Sequence, residues 1–457
     1  MAACLGNGDD NGSSSAPAVI DSGALGPDTS ASDGAASETG TPGVGMDATV
    51  QPDAGPAGGD AASPVEASAD AARDAGREAG PPDASGPAYA LFVGTDFTNA
   101  ELAVVALHPD SLAGRLPLSD QDSVPYASGG YGFVMEHALG QVIVLEQAQP
   151  WMAKTTIDIN DAPDAATYVS NPRAVLVTTE SKAYVGRYAS NVVQIVDVAS
   201  GAVTGHLDLS AYLAPDDPDG LVDVQDAAYD PATKRAYFLL QRINQFDYGP
   251  GPDYVGACLS SHAQIVGVDV TSDSFVDLNG AAAGTAIDLL GENPPSLIAD
   301  FANGRLIVPE TGCYQPAVPD AGSDGGALPR LDRGIESVAL STGTSTWLYQ
   351  TTNLDRLSGL VWVDGTHAFV NEGSTWFAWN PAHANLGDPV ANFPRAPVSD
   401  GTGRIVGLAS GTGSDGGVVY SVVAFDVGTS QLTTLAEGPF QSVVPDPTYG
   451  LSSAFLP

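Results

Sequence analysis

Arg173-Ala174-Val175-Leu176-Val177-Thr178-Thr179-Glu180-Ser181-Lys182-Ala183-Tyr184-Val185-Gly186 opens the stretch that decides the fold. Val192-Val193-Gln194-Ile195-Val196-Asp197, the turn Ala199-Ser200-Gly201 and residues 203–209 complete it. Four apolar runs of strand length are joined by three turns. Four antiparallel strands joined this way make one blade of a β-propeller.

Working outward, the pattern recurs through the last four-fifths of the chain. Tyr131-Gly132-Phe133-Val134-Met135 and Val142-Ile143-Val144-Leu145 read as the first two strands of a preceding blade. Beyond the clear copy, first strands are expected at Ala227-Ala228-Tyr229, Leu297-Ile298-Ala299-Asp300, Leu360-Val361-Trp362-Val363 and Pro397-Val398-Ser399. Second strands are expected at Ala236-Tyr237-Phe238-Leu239, Leu306-Ile307-Val308, Ala368-Phe369-Val370 and Ile405-Val406-Gly407-Leu408. Many runs are apolar on both faces, as strands sandwiched between blades should be. Tyr89-Ala90-Leu91-Phe92-Val93 reads as a second strand whose own first strand is missing. The C-terminal run Gln441-Ser442-Val443-Val444-Pro445-Asp446 is expected to supply it and close the ring. The expectation is an all-β propeller of seven four-stranded blades over 88–457, preferred over six or eight.

Residues 1–87 contain no Phe, Tyr or Trp and hold 14 acids against Arg73 and Arg77, about −12 of the net charge of −39. So few large apolar groups cannot offset the entropy of ordering, and a disordered acidic Ala/Gly/Pro/Ser/Asp-rich tether is expected. The remainder is acidic too, near −27, which excludes nucleic acid as a partner and leaves a membrane only through an anchor. No segment approaches the ~20 apolar residues of a spanning helix.

Lys182-Ala183-Tyr184-Val185-Gly186 through Gly201 resembles the YVTN-repeat family of bacterial β-propellers, strongly over one repeat and weakly over four others. The family pattern has Thr-Asn where this chain has Gly186-Arg187. The resemblance implies a propeller fold and an extracytoplasmic address, and no single activity. Met1-Ala2-Ala3-Cys4 resembles the end of a bacterial lipobox, which implies lipidation of Cys4. The alternative is a cytosolic protein with a chance Ala-Ala-Cys. The tether directly after the cysteine tips the balance toward a surface lipoprotein of the bacterial outer membrane or periplasm. Cys258 and Cys313 lie in long insertions of adjacent blades, so a disulfide between them is expected, with two free thiols as the alternative.

The long connections are one-sided. Residues 244–262 and 310–333 join second to third strands, and 211–220 and 280–294 join one blade to the next, which places all four on one face around blades four and five. Candidate binding residues there are Asn244, Gln245, Phe246, Asp247, Tyr248, Tyr254, Tyr314, Arg330 and Arg333. Loop aromatics and amides suit a protein or carbohydrate partner at the cell surface, bound by a monomer. No catalytic motif or zinc-type spacing is found, and no cofactor is expected. Pro215-Asp216-Asp217-Pro218-Asp219-Gly220 carries carboxylates that could hold Ca²⁺ but lacks the alternating loop order of a Ca²⁺ site. The main expectation is a lipid-anchored binding or interaction module. The alternative is a propeller-type hydrolase or lactonase with a metal at the central channel, with Asp223, Asp226 and Asp300 as candidate ligands.

Overall fold

The computed structural model describes residues 88–95, 100–107, 110–160, 169–248, 256–257, 259, 261–280, 282, 285–312, 333–351, 357–400, 403–412, 418–440 and 450–456. All fall in the compact unit formed by Met1–Asn7 and Ala62–Pro457. The second unit, Gly8–Ala61, lies outside the described residues, as does the rest of 1–87 with Cys4.

Seven antiparallel sheets follow one another along the chain as the blades of a propeller. Blade two is Ser123–Ser128, Tyr131–Glu136, Gln141–Glu146 and Gln149–Asp158; blade three is Pro172–Thr179, Lys182–Arg187, Val192–Asp197 and Ala202–Asp208. Blade four is Val224–Asp230, Arg235–Leu240, Gln264–Asp269 and Ser274–Val276; blade five is Ile298–Asp300, Arg305–Glu310, Gly334–Ala339 and Thr344–Gln350. Blade six has three strands, Leu357–Trp362, Ala368–Glu372 and Thr375–Trp379; blade seven is Arg395–Ser399, Arg404–Thr412, Val418–Asp426 and Gln431–Phe440. Blade one is Tyr89–Thr95, Ala100–Leu107 and Asp110–Leu118, completed by Gly450–Leu456 from the C-terminus.

The ring closes between the two ends of the domain, but on a different segment from the one expected. Phe92 pairs with Ser453 and Tyr89 with Leu456, while 441–449 lie outside the described residues. Val443-Val444 is the more apolar run. The closing strand carries Ser452-Ser453, and of its side chains Ala454 and Leu456 are buried. Blade two also differs by one strand: Tyr131–Glu136 is its second, and Ser123–Ser128 its first. Pro125 hides that strand from a propensity reading. A blade's first strand is an edge strand, where a missing N–H is tolerated. Blade six departs from four strands at 381–387. Its third strand is flanked instead by a short return, with Phe377 bridged to Pro389. Phe393 then packs on Trp376 at 4.6 Å, Phe369 at 4.8 Å and Phe425 at 5.2 Å between centroids.

The recurrent turn residues have defined jobs. The last residue of the third strand is Asp197, Asp269 or Asp426, and its carboxylate accepts backbone N–H groups two or three residues on. The fourth residue on adopts positive φ, at Gly201, Asp273 and Ser430. Between first and second strands, Asp300 and Asp400 each accept Nε–H of an arginine, Arg305 and Arg404, at 2.7 Å. In the clearest copy the Lys and Tyr of the motif fasten one blade to the next. Lys182 Nζ donates to Val270 O and pairs with Asp273 at 2.7 Å, and Tyr184 Oη donates to the same carboxylate. Packing fixes two later residues of the same strand, Gly186 and Arg187. A Cβ on Gly186 would come within 2.6 Å of Val224 Cγ1 in blade four. Arg187 is buried and donates to Ile159 O at 2.9 Å and Ser170 Oγ at 3.1 Å, holding the incoming connection from blade two.

Candidate functional site on the upper face of blades three to five

The upper face is the end of the ring where first strands begin and second strands finish. Its scaffold is a repeated device. Asp122, Asn171, Asp223 and Asn293 each precede a first strand, and their carbonyls accept the N–H of His137, Tyr188, Gln241 and Thr311, at 3.1, 2.8, 2.9 and 3.3 Å. Three of the four have φ between 49 and 57°. Asn and Asp enter that left-handed region more readily than other L-residues. Just inside, the first strands bulge against the second, between Pro172 and Ala174 and between Val224 and Asp226. A bulge re-aims one side chain. Here the extra residues are Arg173 and Gln225, both buried.

A chain of polar contacts crosses three blades on this scaffold. The Arg173 guanidinium lies 5.1 Å from the Tyr188 ring centroid. Tyr188 Oη donates to Gln241 Oε1 at 2.6 Å, Gln241 Nε2 donates to Asn293 Oδ1, and Asn293 Nδ2 donates to Gly312 O at 3.0 Å. Alongside it, Arg242 at φ 54° donates from Nη1 to His262 O at 2.9 Å, and His262 Nδ1 sits 2.9 Å from Glu292 Oε1. Burial pulls the Arg242 guanidinium below its ordinary value, and Asp288, Glu292, Asp216 and Asp217 work against that. Burial pushes Asp217 up to about 6, with the neighbouring Asp219 adding to it. Two carboxylates of the 215–220 run accept backbone N–H groups: Asp219 N donates to Asp217 Oδ1 at 3.1 Å and Leu221 N to Asp219 Oδ1 at 2.9 Å.

The three carboxylates named for a channel metal are not brought together. Asp223 Oδ2 accepts Ile243 N–H at 3.1 Å. Asp226 is fully buried and joins three blades, accepting Tyr126 Oη–H at 3.1 Å, Leu297 N–H at 2.8 Å and its neighbour Ala227 N–H at 2.8 Å. Asp300 ends a first strand and so belongs to the opposite end of the ring. Among the described residues no group of three or more His, Cys, Asp or Glu could hold a metal ion.

The candidate binding residues are placed in part. Asn244 starts a separate hairpin, Asn244–Tyr248 paired with Gly256–Ala257, so the blade-four insertion rises from the face as its own two-stranded sheet. The side chains of Gln245, Phe246, Asp247 and Tyr248, and all of Tyr254, Tyr314 and Arg330, lie outside the described residues. Arg333 is buried at the foot of the blade-five insertion. The disulfide expected between Cys258 and Cys313 is withdrawn. No disulfide is present among the described residues, and both cysteines lie outside them. Adjacency of two long insertions in the ring does not by itself bring two loop thiols within bonding distance. Tyr188, Gln241, Arg242, Glu292 and Asn293 escape a reading by loop length, because they sit at the roots of the loops. The usable signal was the recurrence of Asn-Pro at 171–172 and 293–294.

No family model matches the chain, and no curated protein matches it. Among solved structures it is similar to a functionally unknown protein from Desulfotomaculum acetoxidans DSM 771, at 11% identity and TM-score 0.48, over 80% of this chain and 98% of that one. It is also similar to the dihydro-heme d1 dehydrogenase NirN in complex with DHE, at 13% identity and TM-score 0.40, over 75% and 72% of the two chains. Hydrazine synthase of Kuenenia stuttgartiensis is similar at 13% identity and TM-score 0.35, over 69% of this chain and 77% of that one. At these scores none of the three bears on what this chain does. The chain forms a seven-bladed propeller whose upper face is knit across blades three to five.

Proposed function

We propose that this protein is a binding module whose ligand-contacting surface is the upper face of blades four and five. One observation carries the reading. The blade-four insertion, the connection between blades four and five and the blade-five insertion are rooted in one polar network, through Gln241–Asn293, Arg242–His262, His262–Glu292 and Asn293–Gly312. Loops that share a rigid base present their tips together, which lowers the ordering cost of binding. The chemistry of the blade-four loop, with amides, aromatics, Gly and Pro at 244–254, suits a protein or carbohydrate partner. The YVTN likeness, the Ala2-Ala3-Cys4 sequence and the acidic 1–87 segment support an extracytoplasmic lipoprotein of the outer membrane or cell surface, acting as a monomer.

Deleting 245–260 should leave the far-UV spectrum and melting of the domain intact and abolish capture of surface proteins and glycans on an array. Undiminished capture by the deletion variant refutes the reading. For the anchor, Cys4→Ser should move the full-length protein, expressed with a lipoprotein leader, from the detergent phase to the aqueous phase; retention in detergent argues against lipidation at Cys4.

A further inference from the structure

First strands meet around the axis, as Tyr126 of blade two and Asp226 of blade four do, so fourth strands form the outer rim and pair on one side only. A rim strand with a bare edge can accept a foreign strand, and charges, prolines and short length are the usual defences. Blade one's rim strand carries Arg115 and Pro117, and blade two's carries Pro150 and Lys154. Blade three's ends at Asp208, blade four's is 3 residues long, and blade seven's contains Glu437 and Pro439. In blade six the outer edge of Thr375–Trp379 is taken up by 387–390, through bonds from Gly387 N to Ala378 O, Ala378 N to Asp388 O and Val390 N to Trp376 O. Blade five differs. Its rim strand, Thr344-Ser345-Thr346-Trp347-Leu348-Tyr349-Gln350, holds neither a charge nor a proline. Thr344–Trp347 keeps unbroken register with Glu336–Ala339, and a bulge at Leu348 ends the regular stretch. Among the described residues no strand or bridge lies along its outer side.

We propose that this edge is a docking site for an extended segment of another polypeptide, added as a fifth strand along Thr344–Trp347 and flanked by basic residues. Main-chain hydrogen bonds to the bare edge supply the affinity of such an addition. Acids at both ends of the strand set the flanking chemistry. At the lower end, a Cβ on Gly343 would strike Leu278 O and Asn279 Cα of blade four, which brings the turn of Asp277 beside Thr344. At the upper end, the short strand Ile287–Asp288 lies against Thr344–Gln350, and Glu372 of blade six accepts Tyr349 Oη–H at 2.6 Å. Arg333, joined to that end through Thr351 N, is buried.

Charge also separates the two classes of occupant. A second copy of this chain presents the same uncharged strand, but it brings a further net charge of −39, and two such molecules repel. A basic segment is drawn in by the same field that turns the copy away. The edge belongs to the rim of blade five and not to the loops of the upper face, so the inference does not rest on the function proposed above.

The test is a titration of the full-length protein into a fluorescein-labelled peptide, Lys-Lys-Thr-Val-Thr-Val-Thr-Lys-Lys, read by anisotropy at low salt. The peptide should bind with a Kd on the order of 100 µM and slow hydrogen exchange of 344–350 by about tenfold at saturation. Two control peptides, one N-methylated at every inner residue and one with Glu in place of each Lys, should bind at least about tenfold more weakly, for want of N–H donors and of charge respectively. Thr346→Lys gives the edge the charge that other rims have and should weaken binding by about tenfold; Thr344→Lys is the companion, and both positions are exposed, so the fold is kept. Equal binding of the N-methylated peptide, protection only outside 344–350, no binding at about 1 mM peptide, or unchanged binding by both folded variants overturns the proposal. So does self-association of the protein that Thr346→Lys abolishes, which would make a second copy the occupant. Deleting 245–260 should leave this binding unchanged, so the two readings fail separately.

Discussion

Asp226 shows how a residue can look functional in sequence and be structural in place. It stands near the axis where a metal ligand would stand, yet its carboxylate is consumed by Tyr126, Ala227 and Leu297. Asp226→Asn turns an acceptor pair into one acceptor and one donor facing N–H and O–H groups. It should cost about 2–4 kcal/mol in urea unfolding, whereas Tyr126→Phe should cost about 1 kcal/mol. Gly186→Ala should cost about 1–3 kcal/mol, because the β-branched Val224 in contact with it cannot swing aside. Acid sensitivity belongs at this scale as well. Asp197 and Asp269 are held below 3.8 mainly by the backbone N–H of Ser200 and Thr271, and Asp426 mainly by the Thr429 hydroxyl. Their contribution is present above 3.8 and disappears as pH falls through the lower folded values. Thr429→Ala should therefore move the acid-unfolding midpoint upward, and an unchanged midpoint would assign the acid transition to other carboxylates.

At the scale of elements, the strand–turn unit was the legible part. Strands of blades three, four, five and seven fall where apolar runs and Asp/Gly turns place them, because the two faces of an inner strand are both buried and the turn chemistry is local. Ser123–Ser128 and Gly450–Leu456 were not legible, because each owes its place to the neighbours it pairs with rather than to its own hydrophobicity. The face at blades four and five was legible only as loop length. Its polar network was hidden, since Tyr188 and Gln241 meet only once two blades stand side by side. The motif's Lys and Tyr proved to be a latch between blades. A double-mutant cycle on Lys182→Ala and Asp273→Ala should return a coupling of about 1 kcal/mol at low salt, shrinking in about 1 M NaCl; no coupling would mean that Tyr184 alone holds Asp273.

For the whole molecule, two properties dominate: a ring shut by its last strand and a large negative charge. Removing Gly450–Leu456 should uncover the Tyr89–Thr95 edge and give a protein that self-associates in light scattering, since an unpaired strand edge templates pairing. A monomeric truncation would show that closure is dispensable. The partners Phe92 and Ser453 stand nearly a full domain apart along the polypeptide. While the chain is being made, the earliest strands of blade one wait without their mate, and this sheet is finished only once Gly450–Leu456 has emerged. Folding of the ring is thereby tied to a contact of very long loop closure, a slow class of event. Until that contact forms, the blade-one edge stays open to strands of other chains, so the interval before closure is when pairing errors arise.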